Sequence, residues 1–113
     1  MTGHVGEFEQ LILLALLRLG SSAYGVTVRR EIHERTGRDV SQGAVYTVLN
    51  RLSEKGLVRW RVAESAPERG GRRRKYYELR PEGARVLQRS LADLRLMAKG
   101  LSPKLTELAE KAS

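Results

Sequence analysis

Cysteine is absent from the 113 residues. Disulfides and thiolate chemistry are therefore excluded, and the composition fits a reducing cytoplasm, the compartment expected here. Histidine is scarce. His4 and His33 lack the spacing of metal ligands, and without cysteine no zinc site is expected; His33 reads as a helix-surface residue. The most apolar run, Leu11 to Leu17, is far short of the about 20 residues that a bilayer span needs, so no membrane partner is expected. The N-terminus carries acidic residues where a secretory signal needs a positive region. Gly70-Gly71-Arg72 is not followed by the Gly-Lys-Ser/Thr of a P-loop. No grouping of Ser, His and acid stands out, and no carboxylate pair sits in an apolar frame. Neither an enzyme nor a cofactor is expected.

Positive charge is what the chain has in excess. Lys and Arg number 21 against 13 Asp and Glu, a net charge of +8, with a pI near 10.4. This balance favours a polyanionic partner without choosing among DNA, RNA and an acidic surface. The length suits one domain with a real core.

Residues 1 to 5 read as loose. Glu7 to Leu19 reads as a helix apolar on nearly all sides, either central and buried or shared with a partner. Gly20-Ser21-Ser22 ends it. Tyr24 to Arg35 forms a second helix, with Tyr24, Val28 and Ile32 in i, i+4 register. Ser41 is a good N-cap for a third, because its hydroxyl can accept from a free first-turn amide. Val45, Val48, Leu49 and Leu52 make that helix's buried stripe, and Gly56 stands at its end. Val58 to Val62 alternates as a half-buried strand, and Lys75 to Leu79 returns as its partner, with Pro67, Gly70 and Gly71 between them. Pro81 and Glu82 suit the first turn of a helix reaching about Lys99. Gly100 breaks it, and Ser102-Pro103 reads as a fresh cap and first turn of a short terminal helix.

A helix followed by a basic-tipped hairpin is the working half of a winged helix-turn-helix. The expected fold is α+β, mainly α: a winged helix-turn-helix DNA-binding domain over residues 6–80 and a C-terminal dimerisation helix within 81–113. Gln42, Tyr46, Thr47, Asn50 and Arg51 are the recognition-helix candidates. Gln and Asn can pair with adenine, whereas Tyr and Thr hydroxyls more often meet phosphates. Ser41 caps this helix, and Gly43 either permits close backbone approach or is merely tolerated. Arg69, Arg72, Arg73, Arg74 and Lys75 form the electrostatic footprint. Arg72 and Arg73 are favoured for phosphate contact, and one of Arg74 and Lys75 is expected to face away. Tyr24 reads as a core residue with its hydroxyl on a phosphate. Trp60 and Tyr77 read as packing of the wing onto the helices in preference to a ligand-stacking pair. In the last helix Ala84, Leu87, Leu91, Leu94, Ala98 and Leu101 recur as a heptad seam. The domain's own core can cover its start, around Ala84 and Leu87. The rest needs another surface, most simply a second copy of the chain.

These residues carry a family resemblance. The apolar first helix, Tyr24-Gly25, Gly43-Ala44-Val45-Tyr46, Gly56-Leu57-Val58, Gly71-Arg72-Arg73-Arg74-Lys75-Tyr76-Tyr77 and Pro81-Glu82-Gly83 resemble PadR-type transcriptional regulators of the short C-terminal subfamily. The resemblance covers roughly Leu11 to Leu87. It implies a homodimer held by the C-terminal helix, double-stranded DNA as partner and usually repression. By analogy, a small-molecule inducer of unknown identity would tilt the two wings apart. Arg80 departs from the family's common Thr, so the helix at Pro81 must find its cap elsewhere. Two other readings stay open: a nonspecific basic nucleic-acid-binding protein, and a winged helix used as a protein-interaction module.

Overall fold

The computed structural model describes residues 3–64 and 73–112. Helix α1 (Glu7–Leu19) runs into a short 3-10 turn (Gly20–Ser22) and then α2 (Gly25–Thr36) and α3 (Gln42–Glu54). Strands β1 (Val58–Glu64) and β2 (Arg73–Leu79) form an antiparallel hairpin, followed by α4 (Pro81–Ala98), α5 (Ser102–Ala109) and a closing 3-10 turn (Glu110–Ala112). The helices begin within a residue of their expected starts, and the last ends at Ala109, short of the Ala112 that its apolar pattern reaches. The strands are longer than expected at their distal ends, where pairing continues through Ala63↔Arg74 and Glu64↔Arg73. The turn residues Pro67, Gly70 and Gly71 lie outside the described residues.

Local sequence accounts for the element ends. The Ser41 hydroxyl accepts from the Ala44 amide at 3.0 Å, the expected cap of α3. Gly56 (φ 77°) reverses the chain from α3 into β1, and Gly100 (φ 79°) separates α4 from α5, both in a conformation that side chains disfavour. Arg80 provides no side-chain cap for α4. Its guanidinium instead donates to the Gly56 carbonyl at 3.0 Å, and Pro81 opens the helix. Ser102 is not a cap: Leu101 holds that position, and Ser102 is the first helical residue.

One core joins these elements. Ile12, Leu13 and Leu16 of α1 meet Val28 and Ile32 of α2 and the whole Val45, Val48, Leu49, Leu52 stripe of α3. Val58 and Tyr77 close it from the hairpin and Leu87 from α4. The Tyr77 amide donates to the Ala23 carbonyl at 2.8 Å, so β2 lies between β1 and the segment that enters α2. Gly83 lets α4 reach the base of the hairpin: a Cβ there would sit 2.2 Å from the Leu57 carbonyl oxygen.

Two expectations here need correction. The N-terminal segment is not loose at its end. Val5 is buried, its amide donates to Ser90 Oγ at 3.2 Å, and His4 contacts Asp93 at 2.8 Å. These partners lie more than 80 residues away, beyond the reach of local pattern. Trp60 is not packed onto the helices but 49% exposed, whereas its cross-strand partner Tyr77 is buried and reaches Asn50 of α3. Helix α1 is central, with Ile12, Leu13 and Leu16 buried, but its own chain covers only part of its circumference: Leu17 is exposed and Leu11 and Leu14 are half-buried.

The C-terminal seam divides. Leu87 is enclosed by its own chain and Leu91 packs against the same core, whereas Ala84 faces solvent. Leu87 is thus committed to the domain core rather than free for a partner. From Asp93 to Ala112 every residue is exposed. The radius of gyration is 16.8 Å, against about 13 Å for a compact domain of this length. The projecting end of α4 with α5 accounts for the difference.

Candidate nucleic-acid interface

The buried stripe of α3 fixes which residues it shows outward. With Val45, Val48, Leu49 and Leu52 inside, Gly43, Tyr46, Thr47, Asn50 and Arg51 are exposed on the other face, one turn apart. No chain atom approaches the position of a Cβ on Gly43, so nothing within the described residues requires glycine there. Gln42 differs from its neighbours. It is half-buried, and its Nε2 is enclosed without a partner. It borders a cleft of about 310 Å³ between α2 and α3, lined also by Val26, Arg29, Arg30, His33 and Asp39. Arg29 is drawn into the turn below, donating to the Val40 carbonyl at 2.6 Å.

Tyr46 leans toward α2. Its ring lies over Gly25, where a Cβ would meet the ring Cζ at 2.3 Å. From the wing, Tyr77 brings its hydroxyl to Asn50 Oδ1 at 3.4 Å. Burial, and next the nearby Tyr46 phenol, push the Tyr77 hydroxyl above its ordinary pKa of 10.0.

The alternation of β2 sorts the basic run onto two faces. Lys75 lies over the Trp60 ring, 4.1 Å from its centroid. Arg74 turns to the opposite face and stacks 4.3 Å from the Tyr24 centroid. Tyr24 meets Tyr76 edge-on at 5.5 Å, and Arg61 covers Tyr76 at 4.8 Å. Tyr24 is thus half-buried beside the wing and outside the main core. Arg73 is exposed; Arg69 and Arg72 lie outside the described residues. Arg61 and Tyr76 were missed as members of this cluster. Cross-strand pairing, Arg61↔Tyr76, is the signal that unites them, and it depends on a register that becomes visible only once the strand ends are known.

Among the described residues no group of three His, Cys, Asp or Glu side chains could hold a metal ion. No helix there is long and apolar enough to cross a membrane.

A three-helix core, an exposed polar helix face and a basic two-stranded wing beside it define a winged helix-turn-helix regulator. The chain belongs to the transcriptional regulator PadR-like family, whose model matches residues 13–89. A PadR family transcription regulator from Clostridium difficile R20291 shares 28% identity and a TM-score of 0.71, over 88% of this chain and 99% of that one. A relative from Eggerthella lenta DSM 2243 shares 25% identity and a TM-score of 0.67, over 88% and 86%. Bacillus subtilis PadR, solved in complex with operator DNA, shares the fold at 22% identity and a TM-score of 0.64, over 74% of this chain and 47% of that one. No protein of curated function matches the chain significantly.

Proposed function

We propose that the protein binds a pseudo-palindromic operator as a homodimer in the cytoplasm and represses transcription by occupying DNA that polymerase needs. The observation that carries this reading is the exposed row Tyr46, Thr47, Asn50 and Arg51 on α3, flanked by Arg73 and Lys75 of the wing. Such a row suits the major groove, where side-chain amides and hydroxyls meet base edges, while the wing's cations suit phosphates. Ser41 acts as the cap that aims the row, and Gly43 leaves the helix start open to a DNA backbone. Arg69 and Arg72 extend the same positive charge. The relative solved with operator DNA supports the reading by fold.

The dimer reading draws support from Leu94 and Met97, which are exposed along the α4 stripe that begins at Leu87 and Leu91, and from Leu101, exposed just beyond the end of α4. Exposed leucines at helical spacing suit a second copy of the same surface. Ala98 fits this seam, where its small side chain permits close helix approach. An inducer of unknown identity would act by changing the angle between the two wings.

Selection of bound sequences from random duplex DNA with the purified chain tests the proposal. An enriched inverted repeat, with preference that persists as salt rises, is the expected result. Binding that falls with salt to the same level on every duplex would point to a nonspecific basic protein instead.

A further inference from the structure

Tyr77 belongs to the wing, yet its hydroxyl ends at the outer face of α3. Tyr77 is 2% exposed and held by the core, so the hydroxyl's position is set by packing. Its one side-chain partner among the described residues is Asn50 Oδ1, at 3.4 Å. That separation is at the long end of hydrogen bonding. At that length the contact adds little to the stability of the fold, and what it offers is a neighbour for the amide oxygen.

We infer that Tyr77 is a positioning residue for base reading: it turns Asn50 Oδ1 toward the domain and leaves Nδ2 facing the groove. The inference rests on the operator binding proposed above and names one of its specificity determinants. An asparagine amide has one acceptor oxygen and one donor nitrogen. Paired recognition of adenine needs both facing outward, the nitrogen for N7 and the oxygen for the N6 amino group. With the oxygen directed inward, Asn50 offers the groove only a donor. Donors suit guanine N7 and O6, adenine N7 or thymine O4; cytosine presents only its N4 amino group there and is rejected. The Tyr77 phenol is protonated at neutral pH and can donate toward Oδ1.

The test is random-duplex selection with the full chain in four forms: parent, Tyr77→Phe, Asn50→Ala and the double variant. The parent should disfavour cytosine against guanine at one symmetry-related position by about fivefold or more. Asn50→Ala should lose that discrimination. Tyr77→Phe keeps the ring and should change the same position and no other, admitting paired adenine contact. The double variant should match Asn50→Ala, because Tyr77 acts through Asn50. A merely structural Tyr77 would lower affinity on all duplexes and add its effect to Asn50→Ala. A second variant, Asn50→Asp, keeps the inward oxygen but replaces the outward donor with an acceptor. It should move the position toward cytosine even if Tyr77→Phe folds poorly. An unchanged consensus in folded Tyr77→Phe, or a parent that prefers cytosine there, overturns the inference while leaving operator binding intact. A parent that enriches no sequence overturns both.

Discussion

The ring of Tyr46 occupies the space that a side chain on Gly25 would need, with its Cζ 2.3 Å from where that Cβ would lie. The atoms in conflict are the far end of a movable side chain. Gly25→Ala should therefore swing Tyr46 out of place and leave the fold standing. We expect unfolding free energy within about 1 kcal/mol of the parent, since alanine also favours the helix, and a several-fold loss of DNA affinity. The Gly25→Ala/Tyr46→Ala double variant should bind like Tyr46→Ala alone. Titration of DNA beside chemical denaturation decides; unchanged affinity in Gly25→Ala would separate Tyr46 from the interface.

Gly83 makes the opposite case. A Cβ there meets the Leu57 carbonyl oxygen at 2.2 Å, and backbone cannot step aside as a tyrosine ring can. Gly83→Ala should push α4 off the hairpin and destabilise the domain by about 1–3 kcal/mol. A denaturation midpoint equal to the parent's would mean that α4 docks more loosely than its contacts indicate.

The wing should carry affinity rather than sequence preference. Removing Arg73, which is exposed, should weaken binding to all duplexes by similar factors and lower the salt slope by about one unit. Arg72→Ala/Arg73→Ala should roughly double that effect. Arg74→Ala also removes the stack on Tyr24 and should loosen the wing, seen as faster amide exchange in β2. Unchanged salt dependence in a folded Arg72→Ala/Arg73→Ala protein would take the wing out of the interface.

Leu94 and Leu101 are 57% and 47% exposed, whereas Leu91 is partly spent on the domain's own core. Leu94→Asp/Leu101→Asp therefore separates association from folding. Light scattering should report a monomer, because unpaired carboxylates are strongly disfavoured in an apolar seam. Circular dichroism should stay largely helical. Affinity should fall to that of one half-site, since two recognition helices about 34 Å apart no longer act together. A variant that remains dimeric would move the interface elsewhere.

The Tyr77 phenol titrates above 10.0 in the folded chain, first through burial. The folded state thus holds this proton more tightly than the unfolded state. Its contribution is fully present below the unfolded pKa near 10 and is lost as pH rises through the folded value. Tyr77→Phe has no such proton. As pH rises through and above about 10, its stability should therefore gain on the parent's. Urea midpoints measured in parallel that keep a constant difference would refute the assignment.

Sequence pattern alone determined the helices, because an amphipathic stripe such as Val45, Val48, Leu49 and Leu52 is a local property of spacing. It determined the wing's charge and the cap at Ser41 for the same reason. Tertiary structure decided what depends on contacts between distant segments. The Val5 amide meets Ser90, Trp60 stays exposed beside a buried Tyr77, and Ala84 faces solvent where the core was expected to cover it. Tyr46 meets Gly25 and Tyr77 meets Asn50 only after three helices and a strand have packed. Periodicity tells which face of an element is apolar; it does not tell which neighbour will cover that face, because that choice is made by the shape of the whole chain.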